Sequence, residues 1–186
     1  MAEGVHCQID GPLLERCRRG DERAQRDLFR LTLDDVRRII FRLAGPQREL
    51  EDLIQQVYLA LFGAIRRFRG ESAFNTFLYA VCLRVTRRQA RSSFRWWRLK
   101  RRAADAAPVA ETPADKPAEE RRARAVRRTL DRLAAKHREI LVLYEMEELS
   151  GREISAALGI PEGTVWTRLH HARRAFRKIW LEENAD

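Results

Sequence analysis

No stretch of this chain approaches the ~20 consecutive apolar residues needed to span a membrane, and its N-terminal residues lack the apolar core of a signal peptide. The expectation is a cytoplasmic protein with no membrane insertion. Cysteine is nearly absent: Cys7, Cys17 and Cys82 are odd in number and lack C-x-x-C spacing, which argues against a disulfide framework. His6, Cys7 and Cys17 have no fourth partner at zinc spacing, so no metal and no cofactor is assigned. Cys82 falls in the run Leu78–Tyr79–Ala80–Val81–Cys82–Leu83, where a small buried hydrophobe is the better reading. Alternation of period two never lasts long enough to suggest a sheet. Also missing are a Ser/His/Asp set, a glycine-rich phosphate loop and paired carboxylates in an apolar setting, the constellations from which catalysis is read. The chain is not expected to be an enzyme.

What the sequence holds in excess is positive charge. Across 186 residues, 37 Lys and Arg face 27 Asp and Glu, for a formal net charge of +10. A protein this basic meets a polyanion, because neutralising phosphates releases condensed counterions. Lysine is scarce, and arginine supplies the planar fork suited to bidentate contacts with phosphate and guanine. The hydrophobic fraction of 45% supports folded cores.

The segment 103–118 (AADAAPVAETPADKPA) holds three prolines and no large aliphatic residue except Val109. It reads as a flexible Ala/Pro-rich linker between two small domains, 10–102 and 119–186. Outside it, apolar residues recur at three and four, so the fold class is all-α. A first helix opens at Asp10–Gly11–Pro12 and closes at Gly20. Asp21 caps a second, through Leu28, Val36, Ile39, Ile40 and Leu43, which stops at Gly45–Pro46. A third is expected from about Glu49 to Phe68, and a long fourth after a cap at Ser72.

In the C-terminal part, Val126, Leu130 and Leu133 form one apolar stripe, and Ile140, Leu141, Leu143 and Tyr144 another. Ser150–Gly151–Arg152–Glu153 then has the spacing of a capping box, so a helix should start at Gly151. Gly159 suits its left-handed end, and Pro161 can open the next helix, with Val165, Leu169, Ala172, Phe176 and Ile179 on one face. Thr164, Trp166, Thr167, Arg168, His170, His171, Arg173 and Arg174 occupy the other. A short helix, a glycine turn and a helix with a basic outer face make a helix-turn-helix, whose second helix enters the major groove N-terminus first. The base-facing candidates are Glu162, Thr164, Val165, Trp166 and Arg168, while Arg152, His171 and Arg173 join the same DNA-facing surface. Trp166 could equally complete the core.

Between positions 84 and 102 there is no acidic residue, while Arg84, Arg87, Arg88, Arg91, Arg95, Arg98, Lys100, Arg101 and Arg102 are interleaved with Phe94, Trp96 and Trp97. Cationic residues with aromatic neighbours fit single-stranded DNA: charge tracks the backbone and ring faces hold unstacked bases. Upstream, Phe74 and Phe77 are read first as core.

Three stretches resemble the extracytoplasmic-function sigma factors of bacterial RNA polymerase. Glu51–Asp52–Leu53–Ile54–Gln55–Gln56–Val57–Tyr58 is similar to that family's polymerase-binding helix. FRGESAFNTFLYAVCLRVTRRQARSSFR, Phe68 to Arg95, is similar to its melting segment and minus-ten helix. Leu130 to Phe176, with Pro161–Glu162–Gly163–Thr164–Val165, resembles its minus-thirty-five module. The resemblance implies that Asp52, Leu53, Gln55, Gln56 and Tyr58 contact core polymerase at the beta-prime clamp helices, with the beta flap as a further contact. It implies that Ser72, Phe74, Asn75, Thr76, Arg84, Arg87, Arg88 and Arg91 meet melted minus-ten DNA, and that an anti-sigma factor regulates the chain. Departures fall at Phe77, where the family usually has Trp, at Arg84 (commonly Asn), Arg88 (commonly Asp) and Trp166 (commonly Lys); they bear on promoter preference.

Two other readings compete. A stand-alone helix-turn-helix regulator would need a dimerisation or ligand-sensing surface. A nuclease would need a metal-binding acidic cluster, which the sequence lacks.

Overall fold

The computed structural model describes residues 9–45, 50–100 and 118–184, with backbone alone at 92–100 and 118–120. Among these residues every regular element is helical: α1 (Gly11–Arg18), α2 (Glu22–Ala44), α3 (Leu50–Ile65), α4 (Phe74–Lys100), α5 (Ala118–Arg132), α6 (Ala135–Leu141), α7 (Gly151–Leu158) and α8 (Glu162–Glu183), with a π-turn at Val142–Met146 continuing α6.

Local chemistry sets most of the boundaries. Asp10 caps α1 by accepting from the Leu13 amide at 2.8 Å. Asp21 caps α2 by accepting from the Arg23 and Ala24 amides at 2.8 and 3.1 Å. Each such cap contributes about 1 kcal/mol by occupying amides that have no partner inside the helix. Gly20 and Gly45, at φ 84° and 80°, end these helices in the left-handed region that glycine enters without a Cβ penalty. Two expected boundaries move. α3 closes at Ile65, three residues early, as the Arg67 and Phe68 amides turn back onto the Ala64 and Ile65 carbonyls at 3.0 and 3.1 Å. Ser72 does not cap α4: its hydroxyl donates to the Ala73 carbonyl at 3.4 Å, and the helix starts at Phe74.

Helices α1 to α4 pack around Leu28, Val36, Ile39, Ile40, Leu53, Val57, Leu61, Ile65, Leu83 and Cys82. Cys17 and Cys82 are buried free thiols, and burial pushes the Cys82 thiol well above its ordinary value. Helices α5, α6 and α7 all lie against α8, closing a second core on Leu130, Ile140, Leu143, Ile154, Val165 and Leu169. The two sets meet where α4 packs along α7, and their buried side chains form one connected cluster. Of the expected linker, 103–117 lies outside the described residues, as do His6 and Cys7; Ala118 already belongs to α5. No helix of the described residues is long and apolar enough to cross a membrane.

Candidate nucleic-acid interface

The helix-turn-helix is assembled as its punctuation requires. The Ser150 hydroxyl accepts from the Glu153 amide at 3.3 Å, and the Glu153 carboxylate accepts from the Ser150 amide at 2.9 Å. This reciprocal box satisfies two amides at the start of α7. Gly159 ends α7 at φ 66°, and the Ser155 hydroxyl donates to the Ile160 carbonyl at 2.6 Å, fixing the turn. Val165, Leu169 and Ala172 then anchor α8 in the core. Val165 is therefore corrected: it is fully buried, and its place on the apolar stripe excludes base contact.

The other helix-turn-helix candidates stand at the surface. Arg152, Glu162, Thr164, His171 and Arg173 are exposed, and Arg168 is half-buried. Trp166 is 45% exposed, its ring edge-to-face with Tyr144 at 5.8 Å and lying over Gly151. It is thus part buttress and part surface. Arg173 is held from behind: it donates to the Glu145 carboxylate at 2.8 and 2.6 Å and sits 5.2 Å from the Tyr144 ring. The sequence reading missed Tyr144 and Glu145 as the props of this surface; both lie on the π-turn, which carries no sequence punctuation.

On α4, the spacing of four and three places Arg84, Arg88 and Arg91 on one exposed face. Arg87 points elsewhere, making a bidentate pair with Glu139 of α6 at 2.7 and 2.7 Å. Ahead of the helix, Phe74 (8% exposed) belongs to an aromatic cluster with Phe68 and Phe77, the last two stacked at 4.6 Å. Thr76 is buried, its hydroxyl donating to Glu153 of α7 at 3.3 Å. In this arrangement Phe74 is a core residue, as its first reading has it, and neither it nor Thr76 is available to a DNA strand as the resemblance implies, because the aromatic cluster encloses the first and the packing of α4 on α7 covers the second. Ser72 and Asn75 are half-buried. The side chains of Phe94, Arg95, Trp96, Trp97, Arg98 and Lys100, with Arg101 and Arg102, lie outside the described residues.

On α3, the proposed contact helix splits by face. Leu53 and Tyr58 are corrected to core residues, 1% and 4% exposed. The Tyr58 hydroxyl shares a 2.9 Å hydrogen bond with Thr32 and donates to the Phe29 carbonyl at 3.3 Å, and burial pushes it up to about 12. Asp52, Gln55 and Gln56 form the exposed edge. The residues missed here are apolar: Leu59 is 69% exposed and Phe29 37%, and with Phe62 they rim a shallow groove between α2 and α3. Leu59 falls off the inward stripe of α3, a signal that was readable in its spacing.

Comparison with known proteins adds the following. Residues 28–105 match the family model of Sigma-70 region 2, and residues 123–176 match that of Sigma-70, region 4. The chain is 28% identical over 174 residues to the ECF RNA polymerase sigma factor SigW of Bacillus subtilis, covering 89% of this chain and 93% of the relative. It is 28% identical over 184 residues to the ECF RNA polymerase sigma-E factor of Escherichia coli, with 94% of each covered. Among solved structures it is similar in fold to the sigma factor RpoE in complex with the anti-sigma factor NepR from Bartonella quintana, at a TM-score of 0.68 and 21% identity, over 83% of this chain and 94% of that one.

Proposed function

We propose a residue-level division of labour from one premise: the chain belongs to the sigma-70 family of RNA polymerase sigma factors, in its extracytoplasmic-function type. It is a sigma factor, which binds core RNA polymerase, directs it to specific promoters and helps to melt the minus-ten region. The observation that carries this is the presence of region 2 and region 4 in order on one short chain. A stand-alone regulator is not favoured, because region 2 would have no task there.

In this reading 10–102 is the polymerase-binding and melting domain, 103–118 the linker, and 119–186 the minus-thirty-five domain. The exposed edge Asp52, Gln55 and Gln56, with the groove rimmed by Phe29, Leu59 and Phe62, meets the clamp helices of polymerase: an apolar patch with a polar rim suits a protein partner. Arg84, Arg88 and Arg91 line the path of the melted strand, contributing charge along its phosphates. Arg152, Glu162, Thr164, Trp166, Arg168 and His171 face the duplex upstream, and Arg173 is steadied by Glu145. The chain performs no chemistry of its own. Strand opening follows from binding the open strand more tightly than the closed one. Its place of work is the cytoplasm, with polymerase, and an anti-sigma protein is proposed as its regulator; the structural neighbour RpoE is in complex with the anti-sigma factor NepR.

The test is run-off transcription by purified core polymerase, with and without the chain, on DNA from upstream of its own gene. A discrete transcript that depends on the chain is the expected result. Absence of a transcript, together with failure to co-elute with core on a sizing column, would overturn the reading.

A further inference from the structure

The exposed half of Trp166 is not explained by the fold. From behind, the ring is fixed. It lies over Gly151, where a Cβ would come within 2.5 Å of its Cζ2 and 3.0 Å of its Cε2, and it stands edge-to-face with Tyr144 at 5.8 Å. Those contacts belong to the covered part, yet 45% of the residue remains exposed. A buttress for α7 needs no such outward surface, and α8 is the helix assigned above to the minus-thirty-five duplex.

The surroundings of the ring decide what that surface can meet. Side chains three and four residues apart share a face of a helix, and the exposed residues so placed around Trp166 are Glu162, Gly163 and His170. None of them is a permanent cation. The Glu162 carboxylate approaches Gly151 as the ring does, 3.0 Å from the place of a Cβ. Arg173, seven residues on, donates to Glu145 at 2.8 and 2.6 Å and sits 5.2 Å from the Tyr144 ring. A carboxylate beside the ring disfavours a phosphate there, because like charges repel. Arg152 of α7 and Arg174 further along α8 are exposed cations and suit the DNA backbone instead. Gly163 has nothing within 4 Å of the place of a Cβ, so its side of the ring is uncrowded.

That leaves the base edges on the floor of the major groove, which present donors, acceptors and one alkyl group, the C5-methyl of thymine. An indole offers a single donor and no acceptor, so its carbon surface finds its match in the methyl. We propose that Trp166 is a thymine-reading residue: its exposed ring packs on the C5-methyl of one thymine in the minus-thirty-five element. Gly151 and Tyr144 hold the ring in place before DNA arrives, so the contact gives up little rotamer freedom on binding.

The inference rests on the reading of α8 as the minus-thirty-five helix, and its test keeps the two apart. Holoenzyme, made from core polymerase and the full chain, is titrated on a fragment carrying the promoter mapped by run-off transcription. Thymines of the minus-thirty-five element are replaced one at a time, on either strand, by deoxyuridine. Uracil keeps the pairing and the groove acceptor of thymine and lacks only the methyl. With the unsubstituted chain, one replacement should weaken binding about fourfold, the factor carried by burying one methyl-sized group. Trp166→Ala and Trp166→Gln should bind the thymine and uracil fragments equally. The glutamine variant, whose longer side chain keeps part of the cover over Tyr144, is included in case alanine leaves α8 poorly folded. Loss of folded protein weakens both fragments alike, whereas loss of the methyl contact alters their ratio. An element in which no thymine responds, or a thymine–uracil difference that survives in either variant, would overturn the assignment. Base-pair substitutions in the same element read α8 independently. If these weaken binding while uracil does not, only the role of Trp166 falls; if neither matters, the reading of α8 falls with it.

Discussion

Replacing Gly151 with alanine would place a methyl carbon 2.5 Å from Cζ2 of Trp166 and 3.0 Å from the Glu162 carboxylate. The exposed Glu162 side chain can swing aside, but the 2.5 Å approach to the ring cannot stand, so Trp166 must move or the start of α7 must retreat. The cost of moving Trp166 can be bounded. The residue is 45% exposed, so roughly half of the ~250 Å² that a tryptophan can bury is covered, with Tyr144 and Gly151 among its neighbours. At ~25 cal/mol/Å² that is about 3 kcal/mol, or about 2 kcal/mol after allowing for a compact unfolded state. If the ring holds its place instead, overpacking costs about 1–3 kcal/mol. Against either stands the helical preference of alanine over glycine, about 0.5–1 kcal/mol. Gly151→Ala should therefore destabilise α7 and α8 by about 1–2 kcal/mol. In a Trp166→Ala background the obstruction is gone, and the same substitution should be neutral or stabilising by about 0.5 kcal/mol. The double-mutant cycle then yields a coupling of about 2 kcal/mol. Hydrogen exchange of the α7 and α8 amides reads it, because this measures the opening of one segment without requiring the whole chain to unfold as a unit. Equal costs of Gly151→Ala with and without Trp166 would refute the buttress. The same variant should also impair minus-thirty-five reading, since Trp166 shares one side of α8 with Glu162 and Arg173, at spacings of four and seven.

Other expectations concern two of the proposed surfaces and the acid limb of stability. Arg168→Ala should lower discrimination at one minus-thirty-five position by about 1–3 kcal/mol if the side chain meets a base edge; equal losses on all promoter sequences, read by run-off competition, would reassign it to phosphate. Asp52→Ala/Gln56→Ala should weaken co-elution with core polymerase while leaving the thermal midpoint unchanged, because both side chains are exposed; unchanged affinity for core would refute the α3 edge as a docking site. The Asp21 carboxyl is held below its ordinary 3.8, first by the hydrogen bond from Arg16 and then by the Ala24 amide. A depressed folded-state value means stability that is present above 3.8 and lost as pH falls through the lower folded value. Asp21→Asn, which keeps a capping oxygen, should therefore flatten the fall of the melting temperature in that acid range; an unaltered profile would show that the Arg16 pair contributes nothing.

The sequence was most legible where one residue decides one local event. Asp10, Asp21 and Ser150 cap because a short side-chain oxygen reaches amides two or three residues ahead. Gly20, Gly45 and Gly159 were readable as stops because a positive φ follows from helix-end geometry alone. The inward stripes of α2 and α8 followed from spacing, and the same spacing argued against Val165 as a base contact, since one side chain cannot serve both the core and the groove. Leu53 and Tyr58 went astray for a related reason. A family motif carries a run of residues over whole, whereas a helix divides that run between two faces: Asp52, Gln55, Gln56 and Leu59 lie outward at three and four, and Leu53, Val57 and Leu61 inward. Ser72 failed as a cap because its hydroxyl turns to a carbonyl, a choice that spacing does not record.

What no local pattern carries is the relation between the halves. Glu139, Glu147 and Glu153 stand in a stretch with several acidic residues, and nothing nearby separates Glu147, almost wholly enclosed, from Glu148, which is exposed. Their partners lie 52 to 105 positions away, on α2 and α4. The arginine-rich run on α4 reads as a surface awaiting a polyanion, yet Arg87 meets the Glu139 carboxylate of its own chain. A basic surface on a chain that also carries 27 acidic residues meets some of them in the fold, and spacing alone does not say which arginines are taken.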